Sequence, residues 1–120
     1  YVDDGIAALM KILENRDNVC RNQIINIGNP DNECSIKDLA HLLRELFRNH
    51  PEHRDDGVFS EIIEIAAERF YGTGYQDIYT RKPSIAKARE LLQWEPKISL
   101  EAALKRTLYA FIEENRRAYL

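Results

Sequence analysis

The segment YGTGYQDIYTRKPSI, residues 71–85, gathers the side chains of this chain best suited to chemistry: three tyrosines, an arginine and a lysine, with two glycines among them. Arg81 offers a planar, permanently charged guanidinium that can pair with a carboxylate through two parallel hydrogen bonds. Tyr75 lies between Gly74 and Gln76 and offers a phenol able to donate to a phosphate or sugar oxygen, while Gly72 and Gly74 let the backbone approach a ligand closely. Two plainer readings stand beside these. Tyr71, Tyr75 and Tyr79, spaced by four, can pack on the core as a stripe, and Arg81 can close a surface or helix-end salt bridge.

The other reactive side chains form no recognisable set. Cys20 and Cys34 are the only cysteines and belong to no C-x-x-C pair, so reduced structural thiols are expected. His50 and His53 are separated by Pro51, which argues against the continuous helical face of a two-histidine metal site, and no metal is expected. No glycine-rich dinucleotide loop, P-loop, nucleophile elbow or H-E-x-x-H motif occurs. Seventeen basic residues are interspersed with twenty acidic ones, for a formal charge of −3, so nothing suggests nucleic acid. With no long apolar run and no leader pattern, neither a membrane span nor export is expected, and a cytoplasmic location is the default.

The elements that must position residues 71–85 are read from periodicity and caps. Asp3 and Asp4 precede the helical series Ile6, Leu9, Met10 and Leu13, and their carboxylates suit a helix N-terminus. No start methionine precedes Tyr1 and Val2, which read as the end of an extended segment, so a fragment of a longer chain is expected. Ile24, Ile25 and Ile27 before Gly28-Asn29-Pro30 predict a short buried strand and a turn. Ser35 and Asp38 form a capping box for a helix to about Asn49, carrying Ile36, Leu39, Leu42, Leu43, Leu46 and Phe47 on one side. After the loop HPEHRDDG, the β-branched residues of EIIEIAAE favour a second strand. Ser84 is expected to cap a short helix through Leu92, Trp94 to pack in the core or at a lobe interface beside Pro96, and Ser99 to cap a last helix with Leu100, Leu104, Leu108, Phe111 and Ile112 inward. The fold expected is α/β: one small mixed domain over residues 1–120, of about four helices and two or more short strands.

The order YVDDGI, IINIGNP with SIKDLA, and KARELLQWEPKISLEAALKRTL resembles the C-terminal, substrate-binding lobe of the extended short-chain dehydrogenase/reductases, the NAD-dependent epimerase/dehydratase family. Within it, GYQDIYTRKPSI is most similar to the UDP-glucuronate decarboxylases found in bifunctional polymyxin-resistance proteins. The resemblance implies that Tyr75 contacts the UDP-sugar and that Arg81 is the catalytic residue, assigned as proton donor after carbon dioxide leaves. It also implies NAD in the parent enzyme, UDP-glucuronic acid or a related UDP-sugar as ligand, and a role in 4-amino-arabinose modification of lipid A. The glycine-rich NAD loop and the Tyr-x-x-x-Lys pair would belong to an upstream Rossmann domain of the same chain, with a formyltransferase domain and a homo-oligomer possible in the parent. The 120 residues alone are therefore expected to be inactive and to bind no NAD. Two alternatives remain: the lobe of another nucleotide-sugar epimerase or dehydratase, and a non-catalytic binding or assembly module.

Overall fold

The structure, a computed structural model, describes residues 1–51, 61–75 and 80–118. The chain forms α1 (Val2–Glu14), a 3-10 turn (Arg16–Asn18), α2 (Ile36–Arg48), α3 (Ala67–Tyr71), α4 (Ala86–Leu92) and α5 (Leu100–Ala118). No strand occurs among the described residues, so the α/β expectation is corrected to an all-helical arrangement. The isoleucines explain both the expectation and its failure. Ile25 and Ile27 pack against the core while Ile24 is 85% exposed, which keeps the alternation of a strand. β-Branched residues favour such backbone, but a strand also needs a neighbour to complete its hydrogen-bond ladder, and among the described residues none pairs with residues 23–27. Residues 61–66 likewise have no regular structure and lead into α3 instead of forming the second strand.

Local signals fare better. Ser35 caps α2, its Oγ accepting from the Asp38 amide at 3.0 Å. Asp38 does not reach back to the cap amide; its Oδ2 accepts instead from the Ser35 hydroxyl at 2.6 Å. Ser35→Ala removes both bonds and is expected to cost about 1 kcal/mol, the usual value of such a cap, read as a lower urea midpoint at unchanged slope. Ser99 caps α5 through its Oγ and the Ala102 amide, 3.3 Å apart. Ser84 does not cap α4, whose N-cap is Ile85 without a side-chain bond. Ile85 is 4% exposed, and its burial, not a capping hydroxyl, holds that helix start in place.

The core is built where α1 meets α4. Ala8 and Ala88 are fully buried, and two such small side chains let the helices approach closely enough to enclose Ile85, Leu92 and Trp94. Gln93, in the left-handed region at φ 49°, ends α4, and the Trp94 amide donates to the Ala88 carbonyl at 3.2 Å. That turn sends the indole back into the seam, where its Nε1 donates to the Asp4 carbonyl at 3.1 Å. Of the two places expected for Trp94, core or lobe interface, the structure gives the core.

Asp4 does more than face a helix dipole. Its buried carboxylate accepts from the Lys97 amide through Oδ1 at 3.1 Å and from the Ile98 amide through Oδ2 at 3.0 Å. The Ile98 carbonyl in turn accepts from the side-chain amides of Asn29 at 3.0 Å and Asn32 at 3.3 Å. One residue, Ile98, is therefore tied by its N–H to α1 and by its C=O to the Gly28-Asn29-Pro30 turn.

The second helix pair is α2 on α5, with Leu46 buried and Leu39, Leu42, Leu43, Leu104, Leu108 and Ile112 half-buried; Phe111 faces out at 63% exposure. The whole is open. Its radius of gyration is 19.0 Å, against about 14 Å for a compact chain of this length. The apolar series of α1 also faces out: Val2, Ile6, Leu9, Met10 and Leu13 are all more than half exposed, because Asp4, Ala8 and Ile12 occupy the side toward the core. Val2 is already helical, so it does not end an extended segment.

Candidate functional site

Tyr75 stands in a groove of about 540 Å³ between the N-terminal turns of α2 and residues 62–75. Ile36, Lys37 and Ala40 line one side, and Ile62, Ile63, Ile65, Phe70 and Tyr71 contribute to the other. The Tyr75 ring stacks on Tyr71, with centroids 4.3 Å apart and planes 20° from parallel, and Phe70 meets Tyr71 edge-on at 4.9 Å. Neither tyrosine is core: Tyr71 is 62% exposed and Tyr75 40%. The core-stripe reading is thereby corrected for these two, while Tyr79 lies outside the described residues.

The local reason is the glycines. Gly72 ends α3 at φ 94° and Gly74 follows at φ 91°, conformations that a side chain strongly disfavours, and together they fold Tyr75 back over Tyr71. The resulting surface presents an apolar aromatic face with phenolic groups at its edge. It can stack on a flat ring or a sugar face while donating a hydrogen bond.

Lys37 and Glu64 form an ion pair across this groove, a pairing that sequence reading missed because the partners are distant in the chain. Their hydrogen bond first, and their charge attraction second, hold the Glu64 carboxyl below its usual range and raise the Lys37 ammonium. The link is therefore complete at neutral pH. It is lost as pH falls through the lowered Glu64 value, or rises through the raised Lys37 value. Both side chains are exposed, so salt screens the pair.

Arg81 is exposed and lies on the other side of residues 76–79, which are outside the described set and include Gln76 and Asp77 of the sequence motif. Two residues on, Pro83 touches Gly28: a Cβ built on Gly28 would meet Pro83 Cγ at 2.8 Å. Segments that are remote in sequence, NIGNP and RKPSI, are thus in direct contact. Tyr75 lies in the aromatic groove, while Arg81 stands two residues before the Pro83 that meets Gly28.

Other candidates gather no chemistry. Cys20 is half-buried against the core and Cys34 is exposed, both as thiols. The His50 ring packs edge-on against Tyr109 at 4.4 Å, and His53 lies outside the described residues. No group of three or more potential metal ligands occurs among the described residues. A cavity of about 420 Å³ beside the 3-10 turn mixes Lys11, Arg16, Glu14, Asp17 and Glu90 and contains none of the predicted site residues. No described helix is long and apolar enough to cross a membrane.

Among the described residues no strand runs through a glycine-rich turn into a helix. No family model matches the chain.

Proposed function

We propose that this chain is the substrate-side part of a cytoplasmic nucleotide-sugar enzyme, an oxidative decarboxylase of UDP-glucuronic acid whose cofactor domain lies outside these residues. The observation that carries the reading is the convergence of the four resembling segments. Asp4 and Trp94 join YVDDGI to LLQWEPK, and Gly28 with Pro83 joins NIGNP to RKPSI. The outward apolar series of α1 and the open shape support a lobe that packs on a further domain, since contiguous exposed apolar surface marks an interaction site.

The chemistry open to these residues is the decarboxylation half. In a sugar already carrying a ketone at C4, the C6 carboxylate is β to that ketone. Cleavage of the C5–C6 bond releases carbon dioxide, and its electron pair passes into the ketone as an enolate, which then takes a proton at C5. Arg81 pairs with the carboxylate before cleavage and stays beside the negative charge afterwards. Tyr75 donates to a phosphate or sugar oxygen and orients the substrate. A guanidinium is a very weak acid at neutral pH, so charge stabilisation outweighs direct proton donation.

The test is release of carbon dioxide from UDP-glucuronate by the full-length protein supplied with NAD. Equimolar carbon dioxide and NADH are expected. An epimerised or dehydrated sugar without carbon dioxide would assign the lobe to another member of the same family, and no turnover of any nucleotide sugar would favour the non-catalytic module.

A further inference from the structure

We infer that the Lys37–Glu64 ion pair is a strap that holds residues 61–75, and with them Tyr71 and Tyr75, against the start of α2, whatever ligand the groove takes. The two walls of the groove are unequally anchored. α2 is capped by Ser35, buries Leu46 and packs along α5. Residues 61–75 bury no side chain: Ile62 is half-buried, Ile63, Ile65, Phe70 and Tyr71 are more than half exposed, and the five-residue α3 carries no side-chain cap. With so little apolar area covered, local opening of this wall costs little, and one polar link across the groove is a sizeable share of what opposes it.

Lys37 lies in the first turn of α2, where the helix dipole disfavours a cation. Glu64 reaches it from the opposite wall, and its carboxylate both accepts a hydrogen bond from the ammonium and brings the negative charge that a helix N-terminus favours. Glu64 stands three residues before α3, and both partners line the same groove as Tyr71 and Tyr75. Because the stacked rings belong to the wall that Glu64 ties down, breaking the pair loosens the Tyr71–Tyr75 platform and leaves α2 on α5.

The experiment is limited chymotrypsin digestion of the full-length protein, with each cut located by mass spectrometry. Cleavage after Phe70 reports on the strapped wall, and cleavage after Phe111 of α5 is the internal reference, the two rings being similarly exposed at 69% and 63%. Where opening and closing outpace cleavage, the rate follows the open population. Exposed ion pairs shift such populations by about two- to fivefold, so Lys37→Gln and Glu64→Gln are each expected to raise the Phe70-to-Phe111 ratio by that factor. Salt at about 1 M, which shortens the Debye length to about 3 Å, is expected to do the same to the wild type and little to either variant. The reversed pair, Lys37→Glu with Glu64→Lys, is expected to bring the ratio most of the way back to its wild-type value. An unchanged ratio in either single variant or in salt, or a reversed pair no better than the single variants, would overturn the strap.

Discussion

On the proposed decarboxylase reading, Arg81→Lys in the full-length protein is expected to lower carbon dioxide release by about 100- to 1,000-fold, the range seen when one preorganised donor to a developing anion is lost. Lysine keeps the charge but not the planar fork, so it can attract the carboxylate without holding both of its oxygens. Formation of the C4 ketone, followed as NADH absorbance, is expected to fall much less, because that step develops no charge at the carboxyl carbon. The ratio of NADH to carbon dioxide should therefore rise above one as the keto-acid accumulates. Equal losses in both products would show that Arg81 only positions the substrate. Unchanged release would remove it from the site.

The second large effect is on stability. Asp4→Ala removes both acceptors that hold the Lys97 and Ile98 amides. A hydrogen bond to a charged group is worth about 1.5–3 kcal/mol. Water can reach the exposed Lys97 more readily than the half-buried Ile98, so the combined loss is expected to be about 3 kcal/mol and not the full sum. Asp4→Asn should fall between wild type and alanine, because its amide oxygen replaces one acceptor while its NH₂ faces the second donor. Denaturant unfolding of the three proteins measures this order. Asn29→Ala in the Asp4→Ala background should cost less than it does alone, since both side chains act on Ile98. Losses below about 0.5 kcal/mol for both Asp4 variants would place them among ordinary surface substitutions and show that Asp4 does not hold α1 to residues 97–98.

Much of the local structure was legible because its causes lie within a few residues. Ser35 and Ser99 stop the chain at helix starts by accepting from amides three residues on, whatever lies elsewhere. Trp94 beside Pro96 was readable as a packed side chain, in the core or at an interface, because so large an apolar surface has few other places to go. The strands were not readable in the same way. Ile24, Ile25 and Ile27 carry the propensity, but the ladder that defines a strand belongs to two segments at once, and a single segment cannot report whether its partner is present.

The same division runs through the site. The sequence by itself determined the chemistry at hand: a guanidinium at 81, a phenol at 75, and glycines at 72 and 74 that permit backbone no other residue adopts easily. Only the tertiary structure decided that Tyr75 stacks on Tyr71 in a groove opposite Lys37, that Gly28 leaves room for Pro83, and that Asp4 spends its carboxylate on distant amides. Each of those outcomes depends on two surfaces meeting across long stretches of chain. Spacing along one segment encodes its own periodicity and caps; it does not encode which remote segment will arrive to use the space, the hydrogen or the lone pair it leaves open.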